Sequence, residues 1–318
     1  MKNISLVFVF VFQLATAHSK DSTLLQKPFT NSFKFPEKVL CDACGCSASG
    51  GSMGFASMLN SNFVGVRYFN QSYKSTDGLY TNSPWYSERF NTTQIWARMP
   101  LSNAIQITAL LPYHLHQRDT ETGTQEISGL GDVTVMALYK LYQTKKDSSV
   151  FIHNLQVGGG VKAPTGRFDL ANAGNVNPSF QVGTGSWDYL LATEYVLTRK
   201  NLGLNTMLNY VFKTENEKHY RFGNQFNYAS TLFYILTKNQ LTVVPQMGVA
   251  GEIYDSNFQY SEVVQKTSGT ILFSKFGVEI GKNKFSLGAN VMLPLNQNLA
   301  ANRVEANYRW SLNFNYSL

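Results

Sequence analysis

The clearest pattern in the chain lies in its last stretch, Arg303 to Leu318. Every even position there is apolar (Val304, Ala306, Tyr308, Trp310, Leu312, Phe314, Tyr316, Leu318), and every odd one is polar or charged. Successive side chains of a strand point to opposite faces, so the segment reads as a strand with one oily and one wet side. At about 3.3 Å per residue it exceeds the usual soluble strand, and when tilted it is long enough to cross a bilayer. Its aromatics recur along the oily face, as they do where a strand passes the two headgroup layers.

The same period returns upstream. Phe285, Leu287, Ala289, Val291 and Leu293 oppose Lys284, Ser286, Gly288 and Asn290, and Ile105, Ile107, Ala109, Leu111, Tyr113 and Leu115 oppose Gln106, Thr108 and His114. The spacing predicts twelve strands. They are Asn62 to Ser75, Arg89 to Met99, Asn103 to His116, Gly129 to Tyr142, Val150 to Ala163, Pro178 to Arg199, Leu202 to Lys213, Gly223 to Thr237, Gln240 to Asp255, Thr267 to Gly281, Lys284 to Pro294 and the closing one. In the sixth, Gly183 and Gly185 predict a bend or bulge, because the apolar face changes parity from Phe180 and Val182 to Trp187 and Tyr189. Short polar turns follow the even-numbered strands, and longer Gly-, Pro- and Asn-bearing segments follow the odd-numbered ones. Long loops gathered at one end mark an all-β fold, a transmembrane antiparallel up-and-down β-barrel of about 12 strands. Both termini then lie in the periplasm.

Composition narrows the alternatives. With 43% hydrophobic, 14% aromatic and 15% charged residues and a mean hydropathy of −0.18, the chain is too polar for a bundle of membrane helices. Strands can still live in lipid if they close, because closure satisfies the backbone without water. Residues 1–17 read as a secretory signal: Lys2, an apolar stretch from Ile4 to Leu14, and Ala15-Thr16-Ala17 as the cleavage site. Residues 18–61 keep no period and form a periplasmic or lumenal leader, leaving 62–318 for the barrel. The net charge of +7 comes from scattered Lys and Arg with no basic run, which argues against nucleic acid as a partner.

Three hexapeptides carry a family likeness: Ser128-Gly129-Leu130-Gly131-Asp132-Val133, Lys162-Ala163-Pro164-Thr165-Gly166-Arg167 and Gly183-Thr184-Gly185-Ser186-Trp187-Asp188. In this order and spacing the chain from Asn62 to Leu318 resembles the outer-membrane transporter family linked by name to the meta pathway of phenol degradation. That resemblance implies a β-barrel channel of the Gram-negative outer membrane, with lipid and the barrel-assembly machinery as partners. The leader looks like the front end of such barrels from the Bacteroidota. Leu318 departs from the terminal aromatic residue that the assembly machinery recognises in many of these proteins.

Strand parity supplies the lumen candidates. Asp132 shares a face with Thr134 and Lys140, and Asp188 and Glu194 lie opposite Trp187, Tyr189 and Leu191. With Lys162 and Arg309 they point inward, where they either pair across the barrel or touch the solute. His114 and His116 share one strand face near the extracellular rim, usually a polar rim pair and a divalent-ion site only if a carboxylate converges.

The concentrated chemistry is Cys41-x-x-Cys44-x-Cys46. It suits either a disulfide with one thiol over or a soft metal, Cu or Zn. No nucleophile elbow or acid–base pair stands out, so the sequence predicts no enzyme and no cofactor of the barrel itself. The expected function is passive uptake of small solutes, hydrophobic or aromatic ones included. The alternatives are a barrel that anchors a metal-binding or redox leader, and a wall with a filled lumen.

Overall fold

The computed structural model describes residues 57–76, 83–121, 123–144, 150–169, 178 and 180–318. The predicted signal segment and Cys41, Cys44 and Cys46 lie outside them. Twelve long strands form the wall: β1 (Phe63–Ser75), β2 (Tyr86–Pro100), β3 (Ile105–Thr120), β4 (Val133–Gln143), β5 (Ile152–Ala163) and β6 (Asp188–Arg199). β7 (Leu202–Phe212), β8 (Gln225–Tyr234), β9 (Leu241–Tyr254), β10 (Gly269–Lys282), β11 (Phe285–Leu299) and β12 (Val304–Ser317) complete it. Each pairs antiparallel with its sequence neighbours, and β1 pairs with β12, so the sheet closes on itself. The described residues contain no helix.

Closure sorts the two faces. Along β12, Leu312 and Phe314 are 47% and 50% exposed on the outside, while Ser311 and Asn315 on either side of them are 1% and 0% exposed inside. An outward apolar band around an inward polar face is the amphipathic solution for lipid outside and a polar interior within. The hairpin from β8 to β9 turns through Asn239 and Gln240, both with positive φ (48° and 67°), the backbone that a tight two-residue hairpin demands.

Several boundaries differ from the sequence reading, each for a physical reason. The strand predicted from Pro178 begins only at Asp188. Its described residues before that point, Phe180 to Ser186, fold inward and are buried in place of pairing. Gly183 and Gly185 therefore sit in a loop and not in a bulged strand. The connection after β3 is no long loop: Gly123–Leu130 pairs with the outer half of β3 as a projecting hairpin, broken from β4 at Gly131 and Asp132. β11 runs to Leu299, past the predicted stop at Pro294, and only residues 300–303 separate it from β12. Val304 and Ala306 face inward despite their even numbers, because a register shift opposite Ser72 and Tyr73 skips Asn307 and reverses the faces beyond it.

Because lipid-facing and lumen-facing positions alternate, Leu312→Arg should cost about 2–4 kcal/mol near the middle of the wall. Urea unfolding of the refolded protein in lipid vesicles would show it as a lowered midpoint. A midpoint equal to the parent's would contradict the outward assignment of this face.

Candidate functional site

The three glycine-bearing hexapeptides, far apart in sequence, meet at the loop end of the lumen. Asp132 sits where the chain breaks between the projecting hairpin and β4, and Lys162 and Asp188 stand opposite each other on β5 and β6. The Lys162 ammonium lies 2.6 Å from Asp188 Oδ2 and 3.4 Å from Asp132 Oδ2, and Lys213 Nζ lies 3.3 Å from Asp188 Oδ2. All four are buried, so two carboxylates and two lysines meet away from bulk solvent. Such a cluster holds together only because its remaining lone pairs find donors.

Those donors come from the inward loop, from Gly166 and from Thr214 after β7. Asp132 Oδ2 accepts from the Thr184 N–H and hydroxyl (2.8 and 2.7 Å), and Oδ1 accepts from the Gly166 N–H (3.0 Å). Ser186 and the Thr214 N–H donate to Asp188 Oδ1 (3.1 and 3.3 Å). Gly183 explains its own identity: a Cβ there would lie 2.4 Å from the Gly166 carbonyl oxygen, so the two backbones touch as only glycines allow. Pinned in this way, the loop sets Phe180 and Val182 into an apolar layer with Phe69, Tyr73, Phe90, Phe273 and Met292. That layer lies inside the barrel, near the loop end.

The other lumen candidates fall elsewhere. Arg309 makes two parallel bonds to Glu252 (2.7 and 2.8 Å) and donates through Nε to the Tyr73 hydroxyl (2.9 Å), with its guanidinium carbon 4.4 Å from the Phe273 ring centre. Glu194 pairs with Arg98 at 3.2 Å and accepts from Asn205 at 2.8 Å. Lys140 is half-buried at the end where the first and last strands begin and finish, with no ion pair among the described residues. His114 and His116 are not at the rim: both are buried in the lumen. His114 Nδ1 lies 2.8 Å from the Thr92 hydroxyl, and the His116 ring packs on Phe90 at 4.9 Å. No carboxylate joins them, and the described residues hold no group of three potential metal ligands.

Strand reading missed Arg98, Glu252, Lys213 and Glu279. All four stand on the inward face of a predicted strand, Lys213 as the last residue of the one from Leu202, so parity could have found them. Glu279 binds the segment before β1: its Oε1 accepts from Ser57 and Ser286 (2.7 and 2.9 Å), and its Oε2 from the Met58 and Leu59 N–H groups (2.9 and 3.1 Å). The last residues of the predicted leader thus lie inside the barrel mouth at the terminal end.

The described residues enclose a polar and an apolar space inside the barrel. A polar cavity of about 210 Å³ lies toward the termini, bounded by Ser57 to Ser61, Gln106, Asn154 and Gln156. Beyond it an apolar void of about 30 Å³ is lined by Met136, Leu138, Ala192, Met207, Ala229 and Met292.

A model of the family described as MetA-pathway of phenol degradation matches residues 84–317. Among solved structures, the chain is similar to the COG4313 outer membrane channel from Pseudomonas putida F1 (TM-score 0.62, 15% identity, covering 82% of this chain and 96% of that one). The beta domain of the Bordetella autotransporter BrkA (0.48, 11%, 81% and 100%) and the NanC porin (0.44, 11%, 79% and 100%) are more distant. The likeness to the first is one of fold. The comparison with curated proteins yields no match.

Removing Asp132 as Asp132→Ala leaves two ammoniums to one carboxylate and strips Thr184 of its acceptor, so a loss of about 3–5 kcal/mol is expected. Lys140→Gln should change stability by no more than about 0.5 kcal/mol. Paired urea titrations in vesicles check both, and equal midpoints for the two variants would refute the cluster's structural role.

Proposed function

We propose, for a chain that belongs to the MetA-pathway of phenol degradation family, that it is an outer-membrane channel passing small apolar or aromatic solutes by diffusion, with the terminal end in the periplasm. The outward apolar band fits lipid contact, and the even number of wall strands puts both strand termini at one end. The observation that carries the solute class is the Met-lined void. Among the lumen's ion pairs, amides and aromatic layer lies a stretch lined by Met136, Met207 and Met292, which Arg98, Glu194, Glu252 and Arg309 also border.

Thioether side chains are unbranched and polarisable, so they re-pack around guests of different shape at little cost. At about 30 Å³ the void is well below the roughly 150 Å³ of a cavity that holds a benzene-sized guest. Passage requires that the methionines give way. An apolar solute compensates for this by leaving water, and a polar one gains nothing from these walls.

Refolded protein in a planar bilayer should pass ions and small solutes, and in vesicles it should admit phenol-sized aromatics faster than polyols of equal volume. Ala229→Leu, which fills the void, should lower aromatic entry by about tenfold, equivalent to ~1.4 kcal/mol. A lumen closed to ions and solutes alike would overturn the reading.

A further inference from the structure

Arg98 and Glu194 border both spaces, the polar cavity and the Met-lined void. They project from β2 and β6, with β3, β4 and β5 between them in the wall, so their contact spans the lumen as a chord and does not run along its surface. We infer that this ion pair is the movable septum of the channel, the contact a solute parts in passing between the two compartments. The inference rests on the channel reading above.

Comparison with the other buried pairs separates a movable contact from fixed ones. Arg309 is locked by two short parallel bonds to Glu252, by Tyr73 and by a ring face, and its side chain is 1% exposed. The Lys162 cluster is tied to an entire loop through Asp132. Arg98 instead approaches Glu194 at 3.2 Å with a second, longer contact of 3.5 Å, and its side chain is 15% exposed toward the polar cavity.

Each partner also has somewhere to go. Glu194 keeps a hydrogen bond from Asn205 at 2.8 Å whether or not Arg98 is present. Arg98 borders a cavity of about 210 Å³, room enough for several waters to solvate a displaced guanidinium. Breaking a buried pair is costly chiefly when it strands a bare charge, and here both Arg98 and Glu194 border the polar cavity, where water can reach them. The closed pair carries no net charge, so it favours neutral solutes, and removing one partner leaves a single fixed charge between the two spaces.

The experiment compares single-channel conductance and reversal potential under a KCl gradient for the full chain, Glu194→Gln, Arg98→Gln and the exchange Arg98→Glu with Glu194→Arg. Heat-modified gel migration checks that each has folded. The expected result is a severalfold rise in conductance for both single variants, with anion preference in Glu194→Gln and cation preference in Arg98→Gln. The exchange should restore the parent's conductance. A silent parent with conducting single variants also supports the septum. If the parent conducts and the folded single variants match it in conductance and reversal potential, the septum is wrong and the channel stands. If parent and variants are all silent to ions and solutes, the channel reading itself falls, and the septum with it.

Discussion

In a hydrocarbon layer a peptide N–H or C=O without a partner costs several kcal/mol, and no water is at hand to relieve it. The pairing of β1 with β12 therefore does more than complete a circle: it removes the last open edge of a twelve-stranded sheet. Once the wall is closed, the alternation of side chains is forced. One set must be apolar because it meets lipid, and the other faces an interior that the same closure has separated from solvent. The amphipathic last strand from which the fold could be read is a direct product of that constraint.

Closure also dictates the chemistry inside. Side chains that fill much of the interior bury most of the lumen charges, and a buried charge is costly unless it is paired and hydrogen-bonded. Three sites in the lumen show distinct solutions. Asp132, Asp188, Lys162 and Lys213 form a four-membered cluster, Arg309 and Glu252 a clamp with Tyr73, and Glu279 a carboxylate capped by backbone N–H groups from the segment before β1. The family hexapeptides are the first of these seen in sequence. Their acids and Lys162 make the cluster, and their glycines let the loop reach it.

What the sequence disclosed follows the same logic. Strand identity, the outward faces of β3, β11 and most of β12, and the inward aim of Asp132, Lys162, Asp188, Glu194 and Arg309 all follow from a two-residue period, which local sequence carries in full. The inward loop was not legible. Phe180 and Val182 alternate as strand residues do, and what buries them is an apolar layer drawn from distant strands. Val304 and Ala306 show the same limit, since a register shift set by the β1 partner reverses their faces. The histidines looked like rim residues because β3 was read as ending at His116, whereas the projecting hairpin carries it on to Thr120. In each case the missing information was a partner, not a propensity.

The seam has a kinetic side as well. Phe63 is paired with Ser317, so the ladder that seals the wall joins the opposite extremes of the barrel sequence. Contacts of such long range form late, because the loop they close must first lose its freedom. Ser57 to Asn60, tethered directly ahead of β1, grip Glu279 and Ser286 on β10 and β11. These residues have no slack with which to enter an already sealed cylinder, so their docking in the mouth and the zippering of the seam belong to one event.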